Sequence, residues 1–128
     1  MQQRFFTPGT ARAILESVRG PAETMSQSIR SMELLRPERI APDQPVDPDY
    51  FRLAVSVWAA LDAIQRAGVV VRDRRAGVLD FPARRAGRVV VLRWRVGEPA
   101  LCFWHEDGTS PSGRRPVDDD GPWESPEG

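Results

Sequence analysis

Residues Arg88 to Val96 read RVVVLRWRV, and the reading of this stretch decides the fold. Its apolar residues do not recur at helical spacing. On an extended chain Val90, Leu92, Trp94 and Val96 share one face, while Val89, Val91, Arg93 and Arg95 share the other. The first face is expected to meet a hydrophobic layer. The second leaves two guanidinium groups open to solvent or to a partner. The same period-two pattern runs through VVVRD (69–73), GVLDF (77–81) and PALCFWHE (99–106). Arg75-Ala76-Gly77, Ala86-Gly87 and Gly97-Glu98-Pro99 punctuate these runs, so the spacing predicts a meander of three or four antiparallel strands over about 69–105.

Upstream of Gly68 the period changes to 3.6. Thr7-Pro8 is a helix start, with a hydroxyl to cap and a proline where its missing N–H does no harm. Ala11, Ile14 or Leu15, Val18, Ala22, Met25, Ile29, Met32 and Leu35 then mark one stripe. Gly20-Pro21 interrupts the stretch without shifting its phase, which predicts one long kinked helix over about 8–36. A proline-rich loop follows. Asp47-Pro48-Asp49 opens a second helix over about 48–67, with Phe51, Ala54, Trp58, Leu61 and Ile64 as its stripe, widened by Leu53, Val55 and Val57. Gly68 is its natural stop. The fold class is therefore α+β: an N-terminal antiparallel helical hairpin packed on an antiparallel meander. A single domain spans 1–106, and a flexible acidic tail spans 107–128. Trp123 is the exception in that tail, an aromatic that anchors a partner or packs back.

The 128 residues suffice for one core, and 18 basic and 18 acidic residues leave a formal net charge of zero. All the basic residues are arginine. The charge is unevenly placed: nine arginines face two acids between Arg66 and Arg95, whereas from Val96 onward two arginines face eight acids. The acidic segment is expected to screen its own domain; the sharper reading is competition with an anionic ligand of the sheet. The opening MQQRFFTPGT lacks the apolar core of a signal peptide, and no run approaches a membrane span, so a cytoplasmic protein is expected. A lone cysteine excludes an intramolecular disulfide.

RFFTPGTARAIL, then GVVVRDRRAGVLDFPARRAGRVVVLRWRVGEPALCFWHE, resemble the bacterial domain-of-unknown-function family numbered 2203. The resemblance runs from about Arg4 to Pro116, and its most specific part is GVLDFPA…GR…LRWRVGE…FWHE. Two departures stand out. Arg93 replaces a cysteine that the family tends to place before the strand tryptophan, this chain's cysteine lying at 102. GTSPSGRRPV keeps only Gly113, Arg114 and Pro116 of the family's stretch after Trp-His. The resemblance implies the fold and a bacterial cytoplasmic origin, and it implies no activity.

The segment CFWHED (102–107) holds the only cysteine and the only histidine. An odd separation in a strand puts Cys102 and His105 on opposite faces, so they share neither metal nor proton, and the cysteine reads as a half-buried small hydrophobe. His105 and Asp107 share a face if the strand runs that far. Such a pair makes an oriented general base or two metal ligands, with Asp80, Asp73 or Glu98 as the third group. The competing reading is a strand-end histidine bonded to a carboxylate. Asp80 in LDFP reads as a turn cap or as a cross-strand partner of Arg93 or Arg95, with Pro82 ending the strand. Arg93 and Arg95, with Trp94 and Trp104, are the candidate ligand-binding residues; Arg84, Arg85 and Arg88 join Arg93, Arg95 and Trp94 as the best argument for nucleic acid, against which stands a solvated basic face or a pocket for one small anion. Nucleic acid is disfavoured because Trp94 lies opposite Arg93 and Arg95, which separates stacking from charge. Met25, Ile29 and Met32 are the expected surplus apolar surface, available to a homodimer or a partner protein.

The function read from the sequence is a non-enzymatic binding or protein-interaction module. The rival is a small enzyme or metal-dependent ligand-binding protein built on His105 with Asp80, Glu98 and Asp107. No cofactor is identifiable from the residues.

Overall fold

The structure, a computed structural model, describes residues 3–35, 47–106 and 113–125. Helix α1 spans Pro8–Leu35 and continues through Pro21. Its entrance is closed reciprocally: the Thr10 amide donates to Thr7 Oγ1 at 3.2 Å, and the Thr7 amide donates to Thr10 Oγ1 at 2.8 Å. Helix α2 spans Pro48–Arg66, with Asp47 accepting from the Asp49 amide at 2.8 Å as the sequence led one to expect. Arg4, just before α1, donates to the carbonyl of Ala67, just after α2, so the two helices run antiparallel.

Five strands follow, β1 (Val70–Asp73), β2 (Val78–Arg85), β3 (Arg88–Arg95), β4 (Phe103–Glu106) and β5 (Arg115–Pro116), in one antiparallel sheet ordered β1-β2-β3-β4-β5. The architecture is α+β, two helices on an antiparallel meander. The extra strand is two residues drawn from the acidic C-terminal segment. Pro82 does not end β2: it lies inside it, opposite Val91. The reason is local. Pairing with β1 stops at Asp80, and Phe6 takes over that edge, its amide donating to the Pro82 carbonyl at 2.7 Å. No ladder donor is required where proline lacks one.

Ala86 and Gly87 make the two-residue β2–β3 turn, both at positive φ (53° and 77°), so Arg85 pairs with Arg88 and, counting back, Asp80 with Arg93. Gly77, at φ 69°, ends the β1–β2 turn, where a Cβ would collide with the Val96 side chain.

Phe6, Leu15, Met25, Ile64, Leu79, Phe81, Leu92 and Trp94, each at most 2 % exposed, form the centre of the core between helices and sheet. Two expectations are corrected here. The buried stripe of α2 is Ala60 and Ile64, with Val57 and Leu61 packed against the core, and the larger Phe51 and Trp58 face outward. The apolar set Met25, Ile29 and Met32 is not spare surface: Met25 is fully buried, Ile29 is packed against the core, and Met32 is half-buried. Among the described residues no helix is long and apolar enough to cross a membrane.

Residues 113–125 of the expected tail are part of this packing. Trp123 meets Trp104 edge-on at 5.9 Å and donates through Nε1 to the Asp118 carbonyl at 2.6 Å. Arg85 lies between the two rings and makes a two-pronged bond to Asp118, at 3.0 and 2.9 Å. Arg12 of α1 pairs with Asp119 at 2.8 Å, and Glu124 accepts from the Gly87 amide at 2.7 Å. Trp123, Asp118 and Glu124 thus hold the segment to the end of the β2–β3 hairpin, and Asp119 ties it to α1. The remainder of 107–128 lies outside the described residues.

Candidate functional site

Strand register builds the open face of the sheet. Asp80 pairs with Arg93, Val78 with Arg95, Val91 with His105 and Arg93 with Phe103, so these side chains project to one side. At the edge, Val70 pairs with Asp80, so Arg72 two residues on lies to the same side, and a register shift between Val71 and Asp73 brings Asp73 opposite Val78 on that side as well. Arg114 enters from the residues just before β5. Together Arg72, Asp73, Val78, Arg93, Arg95, Glu98, Phe103, His105 and Arg114 line a cavity of about 350 Å³.

Arg93 is the cavity cation that a buried carboxylate holds in place. Its Nε donates to Asp80 Oδ1 at 2.7 Å and its Nη2 to Oδ2 at 3.0 Å, a bidentate fork. The side chain of Asp80 is 7 % exposed, so it lies beneath the guanidinium rather than in the cavity. The hydrogen bond to Asp80 holds the Arg93 guanidinium above even its usual pKa, although partial burial works the other way. Arg114 covers the Phe103 ring at 3.7 Å. Arg72 and Arg95 are exposed and make no ion pair among the described residues. On the acidic side, Asp73 is committed to its turn, accepting from the Ala76 amide at 3.0 Å. Glu98 is divided between the two sides. Its carbonyl accepts from Trp94 Nε1 at 2.9 Å on the helix side, while the residue also lines the cavity.

The structure brings together His105, Glu98, Arg93 and Arg95 from the residues singled out in the sequence, and places Asp80 under Arg93. It does not bring the tryptophans. Trp94 (0 % exposed) packs into the helix-facing core under the Arg19 guanidinium, and Trp104 (6 %) packs with Arg85 and Trp123. Arg84 and Arg88 are also elsewhere, Arg84 over the Phe5 ring and Arg88 paired with Glu106. Asp107 lies outside the described residues. Among those described, no three His, Cys, Asp or Glu side chains gather where they could hold a metal ion. Cys102 lies before β4 and is exposed rather than half-buried, although its carbonyl accepts from the Val117 amide at 2.8 Å. His105 is 2 % exposed.

Sequence reasoning missed Arg72, Val78, Phe103 and Arg114. Phe103 had a signal, since the same alternation that places His105 on the open face places Phe103 there too. Arg72 follows from the alternation of β1 once the pairing of Val70 with Asp80 is known, and Arg114 depends on a strand pairing across several intervening residues, which leaves no local mark.

The acidic segment does not compete for this cavity through its described residues, because Asp118, Asp119 and Glu124 bind Arg85, Arg12 and the Gly87 amide. No curated protein and no solved structure matches the chain. The match that does exist spans residues 4–117, nearly the full fold with the cavity included, and by it the chain belongs to the family described as "Uncharacterized conserved protein (DUF2203)".

Proposed function

We propose that this chain is a cytoplasmic, bacterial binding module for a small anionic ligand, held in the cavity on the open face of the sheet. One observation carries the reading: two arginines without a counter-charge among the described residues, Arg72 and Arg95, share a concave wall with Arg93, already oriented by Asp80. Guanidinium forks match carboxylate and phosphate oxygens, and a pre-oriented donor loses little entropy on binding. The cavity volume suits a small molecule rather than a polymer. With Trp94 and Trp104 on the other side and the Phe103 ring already covered by Arg114, no open aromatic platform accompanies the charge, which argues against a nucleic-acid strand.

The test is calorimetric titration with inorganic phosphate, short dicarboxylates and sugar phosphates. At least one should bind, and Arg95→Ala and Arg72→Ala should each weaken it by about tenfold, the worth of one charge-assisted hydrogen bond. Their melting temperatures should stay at the wild-type value. If no anion of the panel binds, or both variants bind like wild type, the reading fails.

His105 and Glu98 in the same cavity favour a second reading, in which the bound anion is also turned over by proton transfer at His105. His105→Gln should then abolish turnover while leaving ligand affinity in place. Asp80 has no part in that chemistry, since both its oxygens are engaged by Arg93.

A further inference from the structure

Phe51, Val55 and Trp58 of α2 are 64 %, 50 % and 77 % exposed, on a helix whose opposite side is packed into the core. Their spacing of four and three residues sets them on one stripe. Leu34 and Leu35, 87 % and 40 % exposed, end α1 at the same end of the hairpin as Phe51. A monomer gains nothing from two aromatics held in water on a regular helix.

We infer that this stripe joins two copies of the chain in a two-fold symmetric homodimer, with α2 lying antiparallel on α2 of the second copy. Charge placement is what selects a second copy as the occupant. The stripe is bracketed by Asp47, the cap at its N-terminal end, and by Asp62 and Arg66, paired at 2.9 Å, at its C-terminal end. The register that sets Asp47 against Arg66 of a second copy also sets Val55 against the second copy's Trp58. One alignment therefore satisfies the charges and the apolar residues together, and two-fold symmetry repeats each contact. Phe51 then lies over the Asp62–Arg66 pair, whose guanidinium suits an aromatic face. Antiparallel helices also oppose their dipoles favourably. Two aromatics and a valine supply on the order of 400 Å² per copy, about half of the roughly 800 Å² per partner of a standard interface. Leu34 and Leu35 extend the patch toward the remainder. The sheet cavity lies on the far side of the sheet from the helices, so this inference is independent of the anion-binding reading.

Sedimentation equilibrium of the full chain at micromolar concentrations tests it. A dimer is expected. Trp58→Glu should give a monomer with unchanged far-ultraviolet circular dichroism and melting temperature. Arg66→Glu, which sets like charge against Asp47, should raise the dimer dissociation constant several-fold. A wild-type monomer across the range overturns the proposal, as does a dimer that survives Trp58→Glu. A dimer dispersed by Trp58→Glu but indifferent to Arg66→Glu overturns the antiparallel self-pairing.

Discussion

The two faces of β3 differ by one residue's shift and by everything that follows from it. Leu92 and Trp94 are fully buried against the helices, and the single polar atom of the indole is bonded to the Glu98 carbonyl. Arg93 and Arg95 point the other way. There, a buried carboxylate holds one guanidinium and no counter-charge meets the other among the described residues. The helix face is complete in itself. The open face is complete only where Asp80 lies, and the incomplete part is the part that can bind. If the open face is the binding face, stability and function are separated across one strand rather than between domains.

Substitutions along the strand test that separation. Trp94→Ala should cost about 4 kcal/mol, a core cavity plus an orphaned carbonyl, as measured by denaturant unfolding; a loss below half that would mean the helix face is not the stability face. Arg93→Ala should cost about 3 kcal/mol, because it leaves Asp80 buried and unpaired. Arg93→Ala with Asp80→Ala should recover much of that loss, and a double variant no more stable than the single would show that the pair is not what the site depends on. Gly77→Ala should cost about 2 kcal/mol through its positive φ and the collision with Val96, without touching ligand affinity. Arg95→Ala should change stability by less than about 0.5 kcal/mol, so that its effect, if the open face is the binding face, appears only in titration.

The same contrast separates what could be read in the chain from what could not. The facing of β3, the capped starts of both helices and a cross-strand pairing of Asp80 with Arg93 or Arg95 follow from alternation, cap chemistry and turn signals, all of which are local; the register of β2 on β3 selects Arg93. The stripe of α2 was misread because that helix carries apolar residues around most of its circumference. Large aromatics at helical spacing look like core, yet Ala60, Ile64 and Val57 are what the hairpin encloses. Trp104 was misplaced with the arginines for a similar reason, since an aromatic beside a histidine reads as a site until its partners, Arg85 and Trp123, are known. The acidic segment, poor in aliphatic residues, reads as tail. Its described part is held by one tryptophan and by ion pairs to arginines far away in sequence.

By itself, then, the sequence determined the period of each segment, the face each β3 residue takes, and the family to which the fold belongs, because these depend on neighbours within a few positions. Only the tertiary structure decided that Arg72, Arg93, Arg95, Arg114 and His105 meet around one cavity, and that Phe51 and Trp58 stay in water. Those outcomes depend on the register of β1 on β2, on the register of β4 across a seven-residue connection, and on which side of α2 lets α1 approach. Each is a competition between alternative packings of the whole chain, and no local pattern carries its result.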